Sequence, residues 1–413
     1  MLTKITIERF KSLSKVELSL GQLNLFIGTN ASGKSNLFDA LRVLQGVGYG
    51  FTVTEIFDGK PKGSSSIVWD GIRGGSAGAV LQLAAPKKRP TPSRNVIRLA
   101  VEFKIGVDQY EYEIELNPTL GIVQQESLCV SGTRVFEIIK LSKARDEIIA
   151  RVRHTDLRDE DEDFVPVSFD SHLPVLHQSL ELDSEQLPFP GMREVINKCL
   201  IELSNVQRLE LSPSILREYS RRQKAEQLGE HGENFAALVK TLCTNKQTRA
   251  EYISWLRELT PAEVDDVVIL KGAVNEPLFA LREGKHTFPA QVLSDGTLRF
   301  SALAAALFQP DAPGLLLLEE IENGIHPTRL RLLVELLRSR AQAGKPQVLA
   351  TTHSPIVLAW LKPEEYAHTF FCLRDERGIS HIQPVSSLPQ FESIVKRTPI
   401  SDLFAEGWLE SVL

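Results

Sequence analysis

Only four cysteines occur in 413 residues, at positions 129, 199, 243 and 372, and none forms a Cys-x-x-Cys pair. Their scatter excludes a disulfide framework and a zinc site built on that spacing, and reads as reduced thiols in a cytoplasmic protein. No apolar run reaches bilayer-spanning length. Met1-Leu2-Thr3-Lys4-Ile5 enters an alternating strand pattern where a signal peptide would place a charged region and an apolar core, so no membrane partner is expected. Heptads sustained over many turns are missing, which excludes a long coiled-coil arm, and no internal repeat is evident. The guanine-specifying Asn-Lys-x-Asp is absent, because Asn245-Lys246-Gln247-Thr248 lacks the aspartate. Positive charge is in short supply too: a net charge of −6 argues against a surface coated with phosphate-binding residues. Two local basic clusters remain, Lys87-Lys88-Arg89 and Arg217, Arg221, Arg222 and Lys224, read first as solvated surface and second as a contact for DNA. The rest, 42% hydrophobic and 24% charged, suits one large globular domain with an insertion, or two domains.

Against these absences stands one complete motif. Gly28-Thr29-Asn30-Ala31-Ser32-Gly33-Lys34-Ser35, followed by Asn36, is a full G-x-x-x-x-G-K-[ST] phosphate loop. Upstream, Leu23-Asn24-Leu25-Phe26-Ile27 reads as a short buried strand; downstream, Leu37, Leu41 and Leu44 recur at helical spacing. The order strand, loop, helix separates a working loop from a chance match. Its glycines let main-chain N–H groups turn toward phosphate, Lys34 supplies a point charge at the β and γ oxygens, and the Ser35 hydroxyl can ligate Mg²⁺.

Along the chain, Ile5 and Ile7, then Val16, Leu18 and Leu20, predict two strands joined by a turn at Lys11-Ser12-Leu13-Ser14. Residues 46–93 are rich in Gly, Ser and Pro and read as surface loop with one strand around Ala79-Val80-Leu81-Gln82-Leu83. Alternating runs from Val96 to Ile149 predict an antiparallel meander. The acidic run from Asp156 to Phe164 has no hydrophobic frame and reads as a hydrated loop, not a metal site. From Met192 to Leu259 helical periodicity dominates, with Phe235, Leu238, Val239 and Leu242 on one face and Trp255, Leu256 and Leu259 on another.

A second chemical region follows. Leu315-Leu316-Leu317-Leu318-Glu319-Glu320 is an apolar run closing on two carboxylates, the form of a buried parallel strand that delivers acids to a crevice. Paired with a phosphate loop, Glu319 takes the metal role and Glu320 orients or deprotonates the attacking water. Leu293-Ser294-Asp295-Gly296-Thr297 precedes a helix from Leu298 to Phe308. Its start is either an anion site or a plain N-cap, and the segment alone favours the cap. After a helix opened by Pro327 and closed near Gly344, Gln347-Val348-Leu349-Ala350-Thr351 reads as a further buried strand ending in Thr352-His353-Ser354-Pro355, where His353 can donate to a γ-phosphate.

The order of phosphate loop, LSDGT, LLLLEE with Asn323-Gly324-Ile325-His326-Pro327, and THSP resembles the ABC-type ATPase heads of the RecF, SMC and OLD group, most of all its short AAA-family ATPases. Ile5-Thr6-Ile7-Glu8-Arg9-Phe10-Lys11-Ser12 is similar to their first strand, with weaker likeness at Pro213 to Arg217 and Gly232 to Phe235. The resemblance implies an α/β P-loop NTPase with a central, mostly parallel sheet, an antiparallel β lobe and a mainly helical insertion. Residues 1–155 would hold the first half of the head with the phosphate loop and meander, 156–264 the insertion facing a partner or DNA, and 265–413 the second half. Gly28 to Asn36 would hold ATP in one subunit while Ser294 and Gly296 of a second cap the same γ-phosphate, sandwiching two ATPs in a homodimer. Glu320 would be the base, His353 the switch histidine, Ser35 and Glu319 the Mg²⁺ ligands, and Asn323 to His326 a loop crossing the interface. Three departures stand out: Glu319 stands where ABC heads usually have aspartate, although the OLD-like branch often has glutamate there; Asp295 replaces the first signature glycine, as it often does in this branch; and the Q-loop glutamine has only Gln82, Gln124 and Gln125 as candidates.

Such a chain is expected to be an ATP-hydrolysing switch in DNA repair or anti-phage defence, working with a separate nuclease or toxin effector. The alternative is a nucleotide-gated scaffold that restrains such a partner with little turnover. OLD-like relatives append a Toprim nuclease domain, and the roughly 40 residues after the last head strand are too few for one.

Overall fold

The computed structural model describes residues 1–60, 69–81, 95–142, 146–155, 157, 163–182, 191–259, 264–344 and 346–408. Lys87-Lys88-Arg89, Gln82, Leu83 and most of the acidic run lie outside them. The chain divides into two compact units. The first comprises residues 1–21, 29–206 and 372–383, the second 22–28, 207–371 and 384–413.

In the first unit, alternation turns Leu2–Phe10 and Leu13–Ser19 into an antiparallel pair with Ile5 opposite Leu18 and Ile7 opposite Val16. Period-two alternation sends Ile5 and Ile7 to one buried face, each at 0% exposure. The expected meander follows as Ile97–Ile105, Asp108–Asn117, Ile122–Val130, Thr133–Leu141, Glu147–Arg153 and Phe164–Asp170, each antiparallel to the next. Leu2–Phe10 closes onto its first strand, with Ile7 opposite Leu99. Of the strand expected around Ala79 to Leu83, the described part follows a short helix, Gly75–Ala79, and pairs with the first strand through an antiparallel bridge from Val80 to Phe10, with the Leu81 N–H donating to the Arg9 carbonyl at 3.1 Å; Gln82 and Leu83 lie outside the described residues. Positive φ at Gly71, Gly74 and Gly75 coils the chain just before it extends at Val80. Helix Lys34–Gly48 buries Leu37, Leu41 and Leu44, each worth about 2 kcal/mol by area removed from water. At its end a Cβ on Gly48 would lie 2.6 Å from the Ser204 nitrogen, so only glycine lets helix Met192–Ser204 approach.

The second unit is built on strands in the order Val206–Leu209, Leu315–Leu318, Gln347–Thr352, Leu23–Ile27, then Thr369–Phe371 of strand Thr369–Arg374, the last four parallel to one another. Leu318 pairs with Ala350 and Thr352 with Ile27, so these three strands end at one edge. The four leucines of 315–318 are at most 5% exposed, as a strand covered on both faces requires. Asn24, the polar exception, is buried but donates to the Val348 carbonyl at 3.2 Å. A separate antiparallel sheet holds Val264–Lys271, Pro277–Glu283 and His286–Pro289.

The helical stretch appears as Met192–Ser204, Pro213–Leu216, Phe235–Leu242 and Lys246–Leu259, interrupted by strand Val206–Leu209. Four residues are too few for periodicity to tell strand from helix. The predicted face Phe235, Leu238, Val239 and Leu242 is buried; on the next helix Tyr252, Ile253 and Leu256 are buried and Trp255 is half-exposed. No helix among the described residues is long and apolar enough to cross a membrane.

Candidate nucleotide site

In the first unit, Thr29, Asn30 and Ala31 are exposed, Ser32, Gly33 and Lys34 buried, and Ser35 and Asn36 half-buried. Lys34 donates from Nζ to the Thr29 carbonyl at 2.8 Å and to Ser32 Oγ at 3.2 Å, so the ammonium is held inside the curve of the loop. Ala31 and Gly33 take left-handed φ values of 63° and 105° that turn the chain into helix Lys34–Gly48. A Cβ on Gly33 would come within 2.3 Å of Ser380 Oγ, which itself bonds Ser12 Oγ at 2.6 Å. Asn36 donates to the same Ser12 hydroxyl at 2.7 Å. No side chain caps the helix start, the arrangement that leaves main-chain N–H groups and the positive dipole end for an anion.

Beneath the loop, Asp39, 2% exposed, accepts from Lys11 Nζ at 2.5 Å and from Arg73 Nε at 3.3 Å. Arg73 also donates to the Ser35 carbonyl at 2.8 Å and so braces the first helical turn. Sequence reasoning missed this brace. Its only local sign was an aspartate on an otherwise apolar helix face.

In the second unit, the strand ends gather Gly28, Glu320 and His353. His353 sits with Nδ1 2.8 Å from the Gly28 carbonyl and Nε2 3.5 Å from Glu320 Oε1. A carbonyl only accepts, so Nδ1 carries the hydrogen and Nε2 is the ring atom turned toward the acid. Glu320 has φ 48°, a left-handed conformation rare for a side chain of its size. Its N–H is pinned by Thr351 Oγ1 at 2.9 Å and its carboxylate accepts from Asn323 Nδ2. The neighbouring Glu322 accepts from the His353 N–H at 2.5 Å.

Glu319, in the same unit, is held by a different partner. Arg208, carried by the adjoining strand Val206–Leu209, places Nε 3.0 Å and Nη2 2.8 Å from Glu319 Oε1. This partner was invisible in the sequence, where it is one arginine in a four-residue strand. Arg299, on helix Asp295–Leu307, is a second omission. Burial pushes its guanidinium below the usual value, opposed by the charges of Glu320, Glu322 and Asp295, and its Nε finds no hydrogen-bond partner among the described residues.

Ser294 is exposed and caps helix Asp295–Leu307, accepting from the Thr297 N–H at 3.1 Å. The N-cap reading thus holds in the geometry, and exposure leaves the hydroxyl open to a ligand as well. Gly296 touches main chain: a Cβ there would lie 2.4 Å from the Gly324 carbonyl. Arg217, counted among the basic residues, is partly spent inside the unit, donating to the Leu293 carbonyl at 2.8 Å and to Asp295 at 2.6 Å. Arg221 and Arg222 are exposed.

Among the described residues no group of three or more His, Cys, Asp or Glu side chains is disposed to hold a metal. Mg²⁺ needs none, since it is commonly bound by one or two hard oxygen donors plus phosphate oxygens, and the Ser35 hydroxyl and Glu319 carboxylate are donors of that kind. Of the Q-loop candidates, Gln125 spends its amide on the Ile138 carbonyl at 2.9 Å within the meander, beside Gln124.

A family model described as "AAA domain, putative AbiEii toxin, Type IV TA system" matches residues 130–359. A second, "AAA ATPase domain", matches residues 1–163. The chain is similar to a Helicobacter pylori (strain ATCC 700392 / 26695) protein named ATP/GTP phosphatase, at 23% identity over 400 residues, covering 91% of this chain and 93% of the relative. Among solved structures, the Smc head bound to the C-winged helix domain of ScpA aligns at 14% identity and TM-score 0.48 over 92% of this chain and 96% of that one. The SMC head domain from Thermotoga maritima aligns at 13% identity and TM-score 0.44 over 93% and 98%.

Proposed function

The chain belongs to the family of AAA domains described as putative AbiEii toxin, Type IV TA system, and from that premise we propose that it is an ATP-driven dimerisation switch. As an ATPase of that family it converts ATP and water to ADP and phosphate. In the switch, Gly28 to Asn36 cradle the phosphates, with Lys34 as the charge on the β and γ oxygens. Ser35 and Glu319 would hold Mg²⁺, which when bound would neutralise developing phosphate charge. Glu320 takes the proton of the attacking water, and His353 positions the acid and senses the terminal phosphate. Ser294 and Gly296 of a second copy cap that phosphate, so ATP favours the closed pair and hydrolysis releases it. Nucleotide shifts the equilibrium only through this difference in affinity between the two states.

The observation that carries this reading is the trio in the second unit. A single imidazole bonds the first residue of the phosphate loop through Nδ1 and faces Glu320 through Nε2. A resting structural acid needs no such link to a phosphate loop. The exposed Ser294, packed through Gly296 against the loop after Glu320, supports the dimer. The switch acts with a separate nuclease or toxin effector in anti-phage defence or DNA repair, with DNA as a candidate ligand.

Lys34→Ala tests the site. ATP affinity should fall about 10- to 100-fold, the worth of a charged hydrogen bond, and phosphate release should fall with it. Unchanged binding would remove the loop from the account. ATP binding without measurable turnover in the unaltered protein would favour the scaffold that restrains a toxin or nuclease.

A further inference from the structure

Glu319 stands where ABC heads usually carry aspartate and the OLD-like branch often carries glutamate, and its extra methylene adds a torsion that must be fixed before the carboxylate can meet a metal at a short, directional distance. The structure supplies a restraint. Arg208 aims Nε and Nη2 at the single oxygen Oε1, at 3.0 and 2.8 Å, and both side chains are only 14% exposed. The guanidinium is itself anchored, with Glu210 at 3.2 Å and Glu230 at 3.5 Å, so it is a fixed strut and not a swinging arm. Because arginine stays protonated, it cannot become a metal ligand, and its planar fork sets direction in a way that lysine cannot.

Resting on the reading that Glu319 meets the Mg²⁺ of bound ATP, we propose that Arg208 is a positioning residue that orients Glu319 for the metal and so makes the longer acid serve in place of aspartate. Arg208 touches neither nucleotide nor metal in this role. Its loss acts on the metal requirement alone.

The test uses the full chain with a fluorescent ATP analogue, titrated with Mg²⁺ and, in parallel, with Mn²⁺ followed by electron paramagnetic resonance. Groups that orient a metal ligand through hydrogen bonds are typically worth about 10- to 100-fold in metal affinity. Arg208→Ala should therefore raise the half-saturating Mg²⁺ and Mn²⁺ concentrations about 10-fold or more while leaving analogue affinity in EDTA unchanged. Arg208→Lys keeps the charge beside Glu210 and Glu230, and should show a smaller shift in the same direction. Thermal melting identifies the variants that remain folded. Unaltered metal dependence in either folded variant overturns the proposal, as does an equal loss of metal-free binding. Glu319→Gln separates this failure from that of the underlying reading: if it leaves metal dependence unchanged, Glu319 is not the ligand at all.

Discussion

The Lys34 ammonium and the end of the acidic strand are held by opposite means. Lys34 finds acceptors two and five residues away, at Ser32 and Thr29, so its ammonium is held by neighbours within the motif itself. Glu319 is held by a residue 111 positions distant, and His353 reaches the Gly28 carbonyl across 325. Local geometry can be encoded in a motif. Long-range geometry depends on the parallel strands that set Leu318 beside Ala350 and Thr352 beside Ile27. Substitutions in the loop should therefore disturb binding, and substitutions at the acidic end should disturb chemistry.

The largest expected effect tests that division. Glu320→Gln keeps the shape and removes the base, so phosphate release should fall about 100- to 10,000-fold while ATP affinity holds, the reverse of Lys34→Ala. A comparable loss of ATP binding would dissolve the contrast between the two regions.

Glu126 sharpens it with an acid outside both. It is 0% exposed and accepts from the Tyr112 hydroxyl at 2.9 Å and from the Val175 and Leu176 N–H groups at 2.6 and 2.9 Å. Burial, opposed by these donors, pushes its carboxyl from 4.5 to about 7. The folded state thus binds the proton more tightly than the unfolded state. Its contribution is fully present below about pH 4.5 and is lost as pH rises through about 7, a change of about 3 kcal/mol at most. Chemical denaturation across that window should show Glu126→Gln flattening the slope. An identical slope in the variant would assign the pH dependence to other groups.

The smallest effect concerns glycines. An alanine at Gly33 meets both a φ of 105° and Ser380 Oγ at 2.3 Å, and one at Gly296 meets the Gly324 carbonyl at 2.4 Å. Each should lower stability by about 1–3 kcal/mol, read as a drop in melting temperature. Gly33→Ala should also weaken ATP binding to a single copy, whereas Gly296→Ala should spare that binding and weaken the ATP-driven pairing of two copies. Identical binding defects would contradict the separate roles.

The same contrast explains what the sequence made legible. The strand, loop and helix around residues 23–48 could be read because glycines and helical spacing are local signals. The run Leu315 to Leu318 could be read because a buried parallel strand is apolar on both faces. Strand Val206–Leu209 could not, being too short for a period, and with it went Arg208. Near Val80 the glycines at 71, 74 and 75 coil the chain into a short helix first, and only then does it extend to pair with Phe10. At Ser294 the two readings coexist, since one hydroxyl can cap its own helix and still face outward.

The central claim is that ATP joins two copies of this chain and that Glu320 ends the union. Multi-angle light scattering of Glu320→Gln with ATP and Mg²⁺ measures it directly. The account predicts a stable mass of twice the 46.1 kDa chain that returns to one chain with ADP, and a mass of one chain in saturating ATP would contradict it.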